Sequence, residues 1–199
     1  EQEQRRSLVA MSMAHEAQLK MLQYQLNPHF LFNTLNAIST LILDQETQLA
    51  NTMVTRLSRF LRYTLDNAPT AKVSVAKEME ALRLYLDIEK VRFDDRLHLE
   101  IDVQPEAENA LMPSLLLQPL VENSIKYAVA QSINGGSVNV SARVVGSELI
   151  LAVADDGPGL DPEGSGAPRR SGVGLSNCVD RLQEIYGDAQ SLQLGRTDP

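Results

Sequence analysis

The chain offers one imidazole in a distinctive setting. His29 lies within Gln25-Leu26-Asn27-Pro28-His29-Phe30-Leu31-Phe32-Asn33-Thr34-Leu35-Asn36, among large apolar residues and amides. On a helix, His29 and Asn33 fall one turn apart on one face, and Asn36 follows. Pro28 removes a backbone donor and crowds the preceding turn, so a bend is expected just before His29. A histidine presented this way is either a nucleophile or a packed core side chain.

Three later stretches carry groups that suit a nucleotide. In Leu120-Val121-Glu122-Asn123-Ser124-Ile125-Lys126-Tyr127, Asn123 and Lys126 point away from the apolar stripe of Leu117, Val121, Ile125 and Ala128. An amide and an ammonium on an open helix face suit a metal ion with phosphate oxygens, or they are simply solvated. Ala154-Asp155-Asp156-Gly157-Pro158-Gly159-Leu160 follows an apolar strand. A carboxylate there can accept from a purine amino group, and the glycines let backbone approach a ligand; the other reading is a tight acidic turn. Ser171-Gly172-Val173-Gly174-Leu175-Ser176-Asn177 opens a helix, whose first amides suit phosphate. The Gly-x-x-x-x-Gly-Lys-Ser/Thr loop is absent, so the common P-loop route to phosphate is closed.

The elements that position these groups follow from periodicity. Residues 1 to about 26 form an amphipathic helix, which is expected to continue through Pro28 to about Leu43. A second helix runs from about Gln48 to Leu65, with Leu49, Met53, Leu57, Phe60, Leu61 and Thr64 on one side. A lone helical hairpin cannot enclose a core, so residues 1–66 are read as half of a dimeric four-helix bundle. Residues 67–74 read as a linker, with Ser74 capping a helix over 75–93 and Glu78 near a capping pattern. Strands are expected at 97–103, 137–145 and 148–154, a loop at 105–113, a helix at 114–129, a helix at 173–186 ended by Gly187, and the start of a strand at 191–194. Residues 75–199 thus make an α+β domain with a largely antiparallel sheet.

The 199 residues suffice for one large or two small domains, and 43% hydrophobic content supports a core. A net charge of −8 argues against nucleic acid as the partner. One cysteine, Cys178, excludes an internal disulfide framework and fits a reducing compartment. No signal peptide and no apolar run of membrane-spanning length is visible. The opening Glu1-Gln2-Glu3-Gln4-Arg5-Arg6 lacks a helix start and the end lacks a final element, so a fragment of a longer protein is expected.

The order of the three stretches is more specific than any one of them. An amide helix, then Asp-x-Gly-x-Gly after a strand, then Gly-x-Gly-Leu at a helix start resembles the N, D and G boxes of the Bergerat ATP-binding fold, over about residues 76–195. By that match Asn123 would bind Mg2+, Asp155 rather than Asp156 the adenine amine, Gly157 and Gly159 would shape the adenine pocket, and Gly172 and Gly174 the phosphate cradle. The loop between Gly159 and Ser171 matches the mobile ATP lid. The stretch around His29, followed by Gln118-Pro119-Leu120-Val121-Glu122-Asn123, resembles the LytS-like class of bacterial sensor histidine kinases over residues 15–195. Asn177-Cys178-Val179-Asp180-Arg181-Leu182 is similar to that class's Asn-Val-Arg-x-Arg-Leu, with Asp180 read in place of the first arginine.

The resemblance implies that His29 is phosphorylated by ATP and that the phosphoryl group passes to the receiver domain of a response regulator. Lys126 would offset phosphate charge, and Glu122 would serve as a base or second metal contact, or remain a solvated carboxylate. Asn33 would either help water attack the partner's aspartyl phosphate or brace the His29 ring. It further implies a homodimer and a membrane-anchored parent, with this part on the cytoplasmic side of the bacterial inner membrane. Three other readings compete: an ATPase of the gyrase or Hsp90 kind, a serine kinase of the anti-sigma type, and a non-catalytic dimerisation module. The first expects a glutamate base four residues before Asn123, where Pro119 stands. The second lacks a histidine-bearing hairpin, and the three intact boxes speak against the third.

Overall fold

A computed structural model describes residues 27–159 and 173–195. The chain divides between Asp66 and Asn67 into two compact units. The expected helix over residues 1–26, Gly172 and the expected lid between Gly159 and Ser171 lie outside the described residues.

In the first unit, α1 spans Pro28–Leu43 and α2 spans Thr47–Asp66. The expectation of one helix running through Pro28 is corrected. Asn27 is extended, at φ −61° and ψ 103°, and caps a helix that begins at Pro28. Its side-chain oxygen accepts from the amides of His29 at 3.1 Å and Phe30 at 3.2 Å. Proline suits this first position, where its missing N–H would have no helical partner and its fixed φ is already helical. Phe30, Thr34 and Ile38 recur every four residues and form the buried side of α1. They face Ala50, Met53, Leu57, Phe60 and Thr64 of α2, with Phe30 and Phe60 edge to face at 5.6 Å. Each aromatic ring buried this way contributes about 1.5–3 kcal/mol.

The second unit is α+β. β1 (Lys72–Ser74) pairs antiparallel with β3 (Leu111–Pro113), so the last three residues of the expected linker and the end of the expected loop form a ribbon. Between them lie α3 (Val75–Phe93) and β2 (Leu97–Val103). Ser74 caps α3, accepting from the Lys77 amide at 3.3 Å. α4 (Gln118–Ser124) passes into a π-helical turn over Ile125–Val129, closed by the Ala130 amide on the Ile125 carbonyl. β4 (Gly136–Val145) and β5 (Glu148–Asp155) form a hairpin through Gly146-Ser147, and α5 spans Val173–Tyr186.

The main sheet has the order β2-β4-β5. β4 and β5 are antiparallel, but β2 and β4 are parallel, so the sheet is mixed rather than largely antiparallel. The parallel pairing arises because α4 carries the chain back between β2 and β4. Val138, Val140 and Ala142 alternate inward from β4 onto the helices. Residues 191–195 form no strand, against the expectation.

Candidate active site

In the first unit His29 sits in the opening turn of α1. Its ring is exposed, while the next residue, Phe30, is 3% exposed. The core-histidine reading is thereby set aside, because Phe30, Thr34 and Ile38 occupy the inward positions. The Asn33 side-chain nitrogen lies 3.1 Å from Nδ1 and 3.3 Å from Nε2 of His29. The amide can donate to whichever ring nitrogen carries the lone pair.

In the second unit the polar groups converge at the junction of α4 with the end of β5. The two adjacent aspartates diverge. Asp155 turns toward α4: its Oδ2 accepts from the Ser124 hydroxyl at 2.6 Å and its Oδ1 from the Gly157 amide at 3.1 Å. Asp156 turns back to the sheet and accepts from the Ser137 amide at 2.8 Å. Gly157 packs on the helix, where an added Cβ would come within 3.0 Å of the Ala128 methyl and 2.9 Å of Asp155 Oδ1. Gly159 has φ 71°, a left-handed conformation that favours glycine. Gly174 opens α5 against Pro119, whose Cβ would lie 3.1 Å from an added Cβ.

On α4, Asn123 is half-buried and its amide makes no side-chain hydrogen bond to the described residues. Lys126 is exposed, with Nζ 4.9 Å from the Tyr127 ring centroid. Glu122 Oε1 accepts from Gln118 Nε2 at 2.8 Å, so one oxygen is held along its own helix. Glu122 also acts on α3: its charge helps raise the pKa of Tyr85 and Glu89, though burial is the larger cause for both. Glu89 in turn binds Arg92 at 2.6 Å. Among the described residues no group of three or more His, Cys, Asp or Glu could hold a metal by itself. A lone uncommitted amide fits Mg2+ that takes most of its ligands from phosphates and water.

Three site-supporting residues escaped the sequence reading. Glu78 is not part of a capping box. It is buried, and its carboxylate accepts from the amides of Leu115 at 2.9 Å and Leu117 at 3.4 Å. Those bonds hold the turn into α4, where Leu115 has φ 57°. Arg181 of α5 donates to the Ser114 carbonyl at 2.8 Å and the Leu115 carbonyl at 3.1 Å of the same turn. Ser124 is the third. Two glutamates, Glu78 and Glu89, interrupt the apolar period of α3, and that was the available signal. Position by position, Val179 rather than Asp180 stands at the first arginine of Asn-Val-Arg-x-Arg-Leu, and Arg181 is the second.

Comparison with known proteins bears on this arrangement. Residues 17–97 match the family described as Histidine kinase, and residues 108–197 match the Histidine kinase-, DNA gyrase B-, and HSP90-like ATPase family. The chain is 38% identical to sensor histidine kinase YpdA of Escherichia coli (strain K12), over 94% of this chain and 33% of that protein. It is 37% identical to sensor histidine kinase BtsS of the same strain, over 89% and 30%. It is 35% identical to sensor protein LytS of Staphylococcus saprophyticus, over 92% and 32%. It therefore spans about a third of the length of the curated relatives it matches. The chain thus carries a region matching the Histidine kinase family followed by one matching the Histidine kinase-, DNA gyrase B-, and HSP90-like ATPase family, and along nearly its whole length it is similar to sensor histidine kinases, LytS among them.

Proposed function

We propose that this chain is the kinase portion of a two-component sensor, which phosphorylates His29 from ATP and passes the phosphoryl group to an aspartate of a response regulator. The observation that carries the reading is the exposed His29 ring, presented at a capped helix start and contacted by Asn33. An unprotonated imidazole nitrogen attacks the γ-phosphorus of ATP, the bond to the β,γ-bridging oxygen breaks, and ADP leaves with the electron pair. Residues 1–66 serve dimerisation and phosphotransfer, and residues 75–199 bind the nucleotide.

Asp155 receives the adenine amine, with Gly157 and Gly159 shaping that pocket and Gly172 and Gly174 the phosphate end. Asn123 holds Mg2+, which when bound offsets charge on the phosphate oxygens. Lys126 adds positive charge, and Glu122 lies beside Asn123 as a second contact or base. Since His29 and Asp155 belong to different units, the transfer relies on the connection between α2 and β1, residues 67–71, to let the ATP-bearing unit meet the histidine.

Phe32, Leu35, Ile42, Leu43, Val54 and Leu65 of the hairpin are exposed, which supports a homodimer formed through it. No helix among the described residues is long and apolar enough to cross a membrane. Membrane anchoring of the whole receptor, with this portion on the cytoplasmic side of the bacterial inner membrane, is proposed from the sensor kinases it resembles. Incubation with ATP and magnesium, then peptide mapping at neutral pH, tests the reading. Phosphate on the peptide carrying His29 supports it; phosphate on serine, or none, contradicts it.

A further inference from the structure

The hydroxyl of Ser124 and the carboxylate of Asp155 form a pair at the end of β5, and nothing in the phosphotransfer reaction itself requires the hydroxyl. Ser124 is 5% exposed and lies one helical turn before Ala128, against which Gly157 packs. The Asp155–Gly157 turn is thus seated on the helix at two successive positions of one face. The Ser124 bond, 2.6 Å long, has the length of a hydroxyl donating to a charged oxygen.

We propose that Ser124 is a positioning residue for base selection: it fixes Asp155 so that the pair presents acceptors only, and so selects a 6-aminopurine over a 6-oxopurine. This rests on the nucleotide-binding reading above. Each Asp155 oxygen already accepts from one fixed donor, Ser124 on Oδ2 and the Gly157 amide on Oδ1. Both donors lock the carboxylate plane. The hydroxyl has one proton, and directing it at Asp155 leaves Ser124 with lone pairs only. A 6-amino group donates to such a patch. A 6-oxo group meets acceptor against acceptor, which disfavours it relative to a 6-amino group.

Without Ser124, Asp155 loses one of the two contacts that fix its direction. The aspartate can then turn toward solvent or accept a water that donates to a 6-oxo group. The consequence is a change in the ratio of ATP to GTP affinity, which loss of general stability does not produce.

Calorimetric binding of ATP and GTP to the wild type, Ser124→Ala, Ser124→Thr and Asp155→Asn tests this. Ser124→Ala is expected to weaken ATP about tenfold, the loss of one charge-assisted hydrogen bond, while GTP binding stays level or improves. Ser124→Thr, which restores the hydroxyl, is expected to restore the preference. Should Ser124→Ala fail to fold, Ser124→Cys, nearly isosteric and a weaker donor, carries the same comparison, with a smaller loss in the same direction. Equal weakening of ATP and GTP, or an unchanged ratio with Asp155→Asn still impaired, overturns the role of Ser124 alone. A wild type that binds neither nucleotide, or an Asp155→Asn variant with unchanged ATP affinity, overturns the nucleotide reading beneath it as well.

Discussion

The Asn33 side-chain amide stands 3.1 Å from Nδ1 of His29, one turn along α1. That contact sets the direction of an otherwise exposed ring. It also supports the bracing role of Asn33 over a role confined to water attack on the partner's aspartyl phosphate.

Asn33→Ala is accordingly expected to slow His29 phosphorylation about fivefold, the equivalent of one hydrogen bond near 1 kcal/mol. Initial rates with labelled ATP measure it. An unchanged forward rate with slower receiver dephosphorylation would reverse the assignment.

Glu78→Gln leaves the Leu115 and Leu117 amides sharing one acceptor oxygen and places amide donors where a carboxylate stood. A loss of about 1–3 kcal/mol is expected for a buried donor left unsatisfied. Urea unfolding provides the value. A variant as stable as the wild type would show that the turn into α4 is held by other bonds.

Arg92→Met tests the buried Glu89 pair. Burial already holds the Glu89 carboxyl above its ordinary range, Arg92 opposes that, and Glu122 adds to it. Removing Arg92 raises the folded-state value further. Ionised Glu89 then costs stability at pH values above that raised value, and the cost disappears below the ordinary carboxylate range, where the group is protonated in both states. The variant is expected to lose about 3 kcal/mol near pH 8 and much less near pH 4. A loss independent of pH would contradict the account.

Burial pushes the Cys178 thiol up to about 11, the Arg181 charge lowering it and Glu78 raising it. Its Sγ lies 3.6 Å from the Leu116 carbonyl, in the same turn that Glu78 and Arg181 hold. At pH 8 about one thiol in a thousand is ionised, against roughly a quarter for a free cysteine. Alkylation of the native protein is therefore expected to be at least a hundredfold slower than in urea, followed by mass spectrometry. Comparable rates would mean that α5 does not pack on this turn.

What could be read from the sequence was local or ordered along the chain. The helix spans of α1's end, α2 and α3, the Ser74 cap and the β4–β5 turn follow from period and capping chemistry, which act within a few residues. The order of the Asn123, Asp155 and Gly174 stretches was likewise visible as written. What escaped depends on residues far apart in sequence. Glu78 meets Leu115 across 37 positions, Arg181 meets Ser114 across 67, and Ser124 meets Asp155 across 31. The parallel pairing of β2 with β4 and the β1–β3 ribbon are equally non-local. At Pro28 the local signal existed, but the apolar period running through it outweighed the cap of Asn27.

One comparison shows whether His29 is the phosphoacceptor. The wild type and His29→Gln are incubated with γ-labelled ATP and magnesium, and the protein-bound label is then exposed to acid or to alkali. The wild type is expected to carry a label that acid removes and alkali leaves, and His29→Gln none, with its ATP affinity by calorimetry unchanged. Label of the same kind on His29→Gln, or a wild-type label that survives acid and yields to alkali, would contradict that role for His29.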